Sequence, residues 1–562
     1  MANIYTALNI AKTSMMASQM GLAVSSHNVA NANSPNFSRQ GVTLEASDPV
    51  SYNGLNGMIG TGVKTGAVIR YYNSFLETER NSNISDTSYY EQRTDYLSRV
   101  ESVFNESSHD GLSSMINSFF SNIQEIANDP GSIPKRTSLI YDAKQLGTFF
   151  KQSSQSLQDK RMSLNSSINS SIEKINQITD GIVKLNKIIS ETEAKNVTAN
   201  DLRDQREKLL RDLSSYTKIT TVEDSSNNEV TVYLSTGRPL VIGESQFELK
   251  TRANSNDPLS SSIILVEPSG DEVDITSEIT SGSVGASLEL RDYDIKNQLD
   301  ALNILAATVA QDVNNLHQQG YGLDGSTGLD FFNPPTPSSY ADSNNEGMAQ
   351  ISLSLHGPDK LIMNKLEIVY DGATYSLNDT TLDKSILTAV PLSDVVDHLE
   401  ERGITVGITG TKVAGDRFII DISNNAASSF SVTDKLLADS SKFAAGLTTG
   451  DGNGENATRL AKLDSKATML KDSTTGEAQL TYSEYYDSLV ARIGMETEGA
   501  ELNYKQQESI AANIEAQHQQ ISGVSLDEEM IDVIKFQTAY QMSAKIIDTV
   551  TEMLDELMSI TA

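Results

Sequence analysis

The chain has no cysteine. It can therefore form no disulfide and no thiolate metal site, although that absence suits any compartment. Histidine is sparse as well. His27, His109, His317, His356, His398 and His518 are scattered, with no pair four residues apart and no HExxH. Metal catalysis lacks ligands, and no GxSxG offers an esterase nucleophile. Positive charge is also short. Lys+Arg number 43 against 75 Asp+Glu, a net charge of -32 that argues against nucleic acid or an anionic membrane as partner. No apolar run reaches membrane-spanning length. Lys12, Ser14, Ser18 and Gln19 interrupt what a secretory signal would need to keep apolar, so no cleaved signal peptide is expected.

Two partial motifs fail on context. Gly320-Tyr321-Gly322-Leu323-Asp324-Gly325 matches GxGxxG, but it follows a helical pattern and leads into Pro334-Pro335, whereas a dinucleotide site needs strand before and helix after. Asp451, Asn453 and Glu455 hint at a calcium loop, yet Asn456 stands where Gly is needed and Lys462 where the bidentate Glu belongs. No catalytic group, cofactor or metal is expected.

What is there concentrates at the two ends. Ser525 followed by Glu528 reads as a capping box, and Asp527, Glu528 and Glu529 place negative charge where a helix dipole favours it. An apolar stripe then runs Met530, Val533, Phe536, Tyr540, Ile547, Val550, Leu554, Leu557, the pattern of a long helix with one face to bury. At the other end Ile4, Leu8, Ala11, Met15, Ser18, Leu22, Ser25 and Val29 alternate four-three like a heptad seam, with Asn3 able to cap it and Ser34-Pro35-Asn36 ending it. Met15, Met16 and Met20 read equally as core packing or as an adaptable binding face. The two helices either close one antiparallel pair or assemble between subunits.

Asn28-Val29-Ala30-Asn31-Ala32-Asn33-Ser34-Pro35-Asn36-Phe37-Ser38-Arg39-Gln40 resembles the N-terminal signature of the bacterial flagellar axial proteins, the rod, hook and hook-associated subunits. Their usual form has Asn-Ile-Ala-Asn, then Asn-Thr-Pro-Gly-Tyr, then a basic residue. Val29, Ser34, Asn36 and Phe37 depart from it conservatively, and Asn36 still tolerates the left-handed turn that Gly favours. Leu526-Asp527-Glu528-Glu529-Met530, Phe536-Gln537 and Ala539-Tyr540 are similar to the C-terminal signature of the same family. Gly60-Thr61-Gly62-Val63, Arg70-Tyr71-Tyr72 and Phe75-Leu76 also recur there, and Leu202-Arg203-Asp204-Gln205-Arg206 resembles a block of the junction members.

The resemblance implies a structural subunit joining hook to filament, outside the cell, exported through the flagellar type III apparatus. Implied partners are further copies of the chain in a ring-like homo-oligomer, the hook subunit, the next junction protein and a cytoplasmic export chaperone gripping the C-terminal region. No nucleic acid and no membrane is implied. Implied assembly residues are Ile4, Leu8, Met15, Leu22, Asn28, Ala30, Asn31, Asn33, Pro35, Phe37 and Arg39 at one end. At the other they are Gly523, Leu526, Asp527, Glu528, Glu529, Val533, Phe536, Gln537, Tyr540, Ile547, Val550, Leu554 and Leu557. A hook, rod or filament subunit is the nearest rival, and an adhesin carried on a β-rich insertion the most distant.

Between the ends, hydrophobic period divides the chain. Tyr89, Tyr96, Val100 and Val103, then Met115, Phe119, Ile123 and Ile126, mark helices separated near Gly111 and stopped at Asn128-Asp129-Pro130. Leu164, Ile168, Ile172, Ile175, Ile178, Ile182, Leu185 and Ile189 stripe a helix from Pro134 to about Ser190, and Asp201 to Leu213 forms another. Alternation predicts strands at 229–234, 240–242 and 262–266, helix at 285–317, a linker at 320–345, and strands again across 350–435 with a short helix at 392–401. Helix resumes at Tyr482. The expected fold is multidomain α+β, a long helical bundle or coiled-coil stalk built from both termini with inserted β-rich domains. Its expected parts are terminal helices at 1–40 and 520–562, a stalk at 41–218, 285–320 and 456–519, a β-rich segment at 219–284, and an inserted β-rich domain at 346–455.

Overall fold

The computed structural model describes the chain except residues 1, 52–57, 105–110, 196, 255, 256, 258, 343, 358, 359 and 562, and except the side chains of residues 2, 3, 51, 560 and 561. Asn3 as a cap and His109 therefore lie outside the described residues. Helix α1 (Ala2–Asn31) leads to the strand Gln40–Ala46, which pairs antiparallel with Val63–Arg70. Three helices follow, α2 (Ser74–Phe104), α3 (Leu112–Asn128) and α4 (Ile133–Glu193). Pro134 sits in the first turn of α4, where its fixed φ costs nothing. At 61 residues α4 is about 90 Å long.

The buried stripe of α4 is Leu164, Ile168, Ile172, Ile175, Thr179, Ile182, Asn186 and Ile189. Thr179 and Asn186 displace Ile178 and Leu185 from the stripe read in the sequence. They do so because each finds partners. Asn186 donates to the carbonyls of Val230 and Gly243 and accepts from the Val230 amide, so its burial leaves nothing unpaired. After α5 (Asn200–Tyr216) come an antiparallel sheet of Ile219–Glu223, Val230–Leu234, Pro239–Ile242 and Ser245–Gln246, and a second of Glu248–Ala253, Ser261–Val266 and Glu272–Asp274. Both pack on the second half of α4, on α5 and on α6 (Gly282–Glu289) around one apolar cluster.

A π turn, Leu290–Asp294, joins α6 to α7 (Ile295–His317), where the sequence suggests one uninterrupted helix. α7 is buried nearly all round. The stretch expected as a linker is instead structural. Phe331 and Phe332 have no exposed surface and interlock with Phe119, Phe430 and Phe443, while Ser338–Ala341 pairs with Arg417–Asp421. Surrounding Gly, Asn and Pro disguise this, because backbone punctuation says nothing of where the intervening rings go. Asn314 of α7 closes the turn, accepting from the amides of Phe331 and Phe332 and donating to the Phe332 carbonyl. His317 does the same nearby. Its Nδ1 meets the Leu329 carbonyl at 2.6 Å and its Nε2 accepts from the Ala444 amide at 2.9 Å.

A five-stranded antiparallel sheet runs in the order Ser338–Ala341, Arg417–Asp421, Leu366–Tyr370, Tyr375–Asp379, Lys384–Val390, beside the pair Gln350–Leu355 and Ile404–Thr409 and helix α8 (Leu392–Glu401). Three short helices follow, α9 (Ala426–Ser429), α10 (Asp434–Ala438) and α11 (Glu455–Ala461). Asn456, which in sequence stands where a calcium loop would need Gly, is fully buried and donates to the carbonyls of Leu316 and Ala444. Helix α12 (Tyr482–Ser522) starts with a completed capping box of Thr481 and Glu484 and packs against α2, with Phe104 near Tyr486 and Arg80 bonded to Glu515. The sheet, α2, α3, α7, α12 and the first half of α4 share one continuous core. The fold is α+β and multidomain.

Candidate assembly interface

Helix α13 (Leu526–Thr561) lies antiparallel on α1, Gly21 facing Phe536 and Ser14 facing Ser543. The α1 side of the seam is small. Ala11, Ala17, Ser18 and Ser25 are buried in it, and a methyl group on Gly21 would meet the Phe536 ring at 2.5 Å. Small residues let the two backbones approach, so larger side chains of α13 fill the gap as knobs in holes. Ile4, Leu8, Met15 and Leu22 are half-buried along this seam, while Ala30, Asn33 and Pro35 are exposed.

On α13 the covered positions Glu529, Val533, Phe536, Tyr540, Ser543, Ile547, Val550 and Leu554 alternate four-three, with Asp532, Ala539 and Ala544 half-buried beside them. Met530 and Leu557, placed on the stripe by sequence, stand 52% and 42% exposed. Glu529 and Ser543 take seam positions because each has a polar partner there, Arg39 and Ser14. Leu526, Asp527, Glu528 and Gln537 are exposed. The box expected at Ser525 is half made. The Glu528 amide reaches the Ser525 hydroxyl at 3.4 Å, but the Glu528 carboxylate turns instead to Arg39 at 3.0 Å.

The N-terminal signature is the joint between this pair and the body. Asn28 is buried and clamps Gln40 twice, donating to its carbonyl at 2.8 Å and accepting from its amide at 3.0 Å. Asn31 donates to the His27 carbonyl as the helix ends, and His27 meets the Phe37 ring edge-on. Asn36 has φ +66°, the left-handed turn that an asparagine accepts more readily than other side chains. Arg39 then latches the closing helix. Its Nε lies 2.6 Å from buried Glu529, and its amide donates to the Ser522 carbonyl at 2.9 Å. The Ser522 hydroxyl reaches the Tyr71 carbonyl, so α12, α13 and the first hairpin meet at one place, with Gly523 at the turn between the helices.

Beneath the signature sits a buried charge network. Asp204 of α5 accepts from the Ser38 amide and hydroxyl and from Arg70 at 2.7 Å. Glu77 of α2 lies 3.0 Å from both Arg211 and His518. Burial pushes the Glu77 carboxyl up, but the His518 bond and the Arg211 and Arg80 charges outweigh it and hold it below the usual range. Glu207, which accepts from Tyr72, is pushed up by burial. Sequence reading named none of Asp204, Glu207, Arg211, Glu77 and His518 as joint residues. The signal was present in the charges at 204, 207 and 211, which share one face of α5 at helical spacing.

Chemically this arrangement orients and binds. Among the described residues no cluster of three or more His, Asp or Glu is placed to hold a metal ion, and no helix is long and apolar enough to cross a membrane. The candidate calcium loop is a turn in which Asn453 accepts from the Glu455 amide. The GxGxxG stretch forms a turn after α7.

Residues 97–332 match the family described as flagellar hook-associated protein FlgK helical domain, and residues 515–560 match flagellar basal body rod FlgEFG protein C-terminal. Flagellar hook-associated protein 1 of Salmonella typhimurium strain LT2 is 28% identical over 98% of this chain and 99% of its own length. Its namesake from Bacillus subtilis strain 168 is 25% identical over 100% of this chain and 99% of its own. The structure of the hook junction protein FlgK from Burkholderia pseudomallei aligns with a TM-score of 0.69 at 20% identity, covering 79% of this chain and all of that one, and so shares the fold. Two matched family segments, relatives of the same length and a shared architecture agree: the chain is similar over its whole length to flagellar hook-associated protein 1.

Proposed function

We propose that the chain is a structural subunit at the junction of flagellar hook and filament, polymerising through α1 and α13. The observation that carries this is the outer face of α13. With its seam side on α1, the helix still exposes Ile531, Ile534, Met542, Ile546 and Met553 by 65%, 58%, 64%, 48% and 54%. A contiguous apolar face of this kind marks an interaction site. Its occupant is a neighbouring terminal helix pair of another copy or of a hook subunit. The assembly residues at both ends act in this reading as seam and joint rather than as chemistry, and the protein is no enzyme. The finer partners proposed are a ring of identical copies, the next junction protein, and an export chaperone holding the C-terminal region before secretion through the type III apparatus. The middle of the chain, with its β-rich segment at 219–284 and domain at 346–455, makes up the lateral bulk of the subunit.

Replacing Ile534 and Ile546 by Glu tests this, since neither occupies the α1 seam. Circular dichroism and melting are expected to match the unsubstituted chain, because exposed sites away from special features shift stability by only about 0.5 kcal/mol. Flagella in cells carrying the variant are expected to stop at the hook. Normal filaments on such cells would show that this face is not where the subunit assembles.

A further inference from the structure

The chain has 15 methionines and no cysteine, so thioethers are its only sulfur open to an oxidant. Met530, Met542, Met553 and Met558 are 52%, 64%, 54% and 69% exposed on α13. Away from the terminal helices, Met58, Met348 and Met495 are also exposed, while Met363 and Met469 lie in the core. Oxidation of methionine follows access to the sulfur. The α13 thioethers are therefore in the fast class, and no thiol in the chain intercepts the oxidant first.

Methionine suits an interface that must fit more than one neighbour, because its side chain is unbranched and its sulfur polarisable. The sulfoxide is polar and chiral, and its oxygen demands a hydrogen-bond donor that packed apolar side chains do not supply. On a face destined for burial between helices, one oxygen atom reverses the preference for burial. On Met58, Met348 or Met495 the same change stays in water.

We infer that Met530, Met542, Met553 and Met558 form a reversible oxidation site that turns off the assembly face of the unincorporated chain. The inference rests on the assembly reading of α13. Hydrogen peroxide transfers one oxygen to the sulfur, which gives up two electrons, and the other oxygen leaves as water. Reversal removes the sulfoxide oxygen as water while two thiols become a disulfide. Since the chain holds no thiol, those electrons come from an external thiol-dependent sulfoxide reductase.

The test uses the purified full-length chain, untreated or treated with hydrogen peroxide, mixed with hook-bearing flagella from cells lacking it. The chain that sediments with the hooks is measured, and peptide mass mapping reads the oxidised positions. Treatment is expected to lower sedimentation roughly tenfold or more, the scale of burying an unpaired polar group. Both stereospecific sulfoxide reductases plus a thiol are expected to restore it. Changing Met530, Met542, Met553 and Met558 together to Leu should abolish the peroxide effect, whereas the same change at Met58, Met348 and Met495 should leave it intact. Undiminished sedimentation of the oxidised chain, or a loss that persists in the first variant, would overturn the inference. Restoration by the reductases is read on the unsubstituted chain, so it decides even if the leucine face packs poorly. An untreated chain that never sediments with hooks would remove the assembly reading and this inference with it.

Discussion

Helices α4 and α13 both carry a long four-three stripe, and they meet different fates. The α4 stripe vanishes into two cores, against α3, α7 and the sheets, and what remains outside is mostly Ser, Asn, Gln and Lys, with Tyr141, Met162 and Ile188 exposed singly. α13 buries one side on α1 and keeps Ile531, Ile534 and Ile546 in water on the other. The contrast extends inward. The body holds its segments with interlocked rings and satisfied amides, while the terminal pair meets it through polar bonds, Asn28 with Gln40 and Arg39 with Glu529 and Ser522. A helix finished within its own chain needs only one apolar side. A helix with apolar surface on two sides is half of something larger.

That contrast breaks first in the body. Phe332→Ala removes a fully buried ring from the aromatic cluster and is expected to cost about 3–5 kcal/mol of unfolding free energy. Denaturant melts measure it. Hydrogen exchange of residues 1–40 and 520–562 should rise no more than that of the body.

Acid comes next. Burial holds the His317 imidazole down at about 4, against an ordinary value near 6.5. The unfolded chain therefore takes up a proton that the fold refuses, and stability falls as pH drops from about 6.5 to about 4. The loss assigned to this one group is about 2–4 kcal/mol. Melts at pH 7 and pH 4.5 give the slope, and His317→Gln should flatten it by that amount.

The smallest effect falls on the joint. Arg39→Ala leaves Glu529 buried without its cation and should loosen the docking of α13 by about 2 kcal/mol, since Arg39 itself is partly exposed. Exchange should quicken at 520–562 while the melting of the body stays put. Equal protection before and after would show that the seam with α1, not the latch, holds the helix.

Helices and strands were legible wherever one letter class recurred at the right period, and α8 ends at the residues the pattern marks. Legibility failed where a seam position held a polar residue with a private partner. Thr179, Asn186, Glu529 and Ser543 belong to stripes, yet a count of apolar letters passes them over for Ile178, Leu185 and Met530. It failed again at Phe331 and Phe332, where Gly and Pro announce a turn and conceal that the turn is packed. At the joint, the sequence singles out Asn28 and Arg39 as assembly residues and Asn36 as a turn. The joint was not legible on α5, because nothing local tells a buried Asp204 from a solvated one. Only the fold brings Ser38 and Arg70 to it.

The terminal pair is attached to the body by two backbone segments, residues 32–39 leaving α1 and residues 523–525 entering α13, and both lie at the same end. A single segment would act as a swivel. Two side by side act differently: to turn about its own axis, the pair must wind one segment around the other, against the clamp of Asn28 on Gln40. A twist applied to the pair is therefore handed to the body through both segments at once.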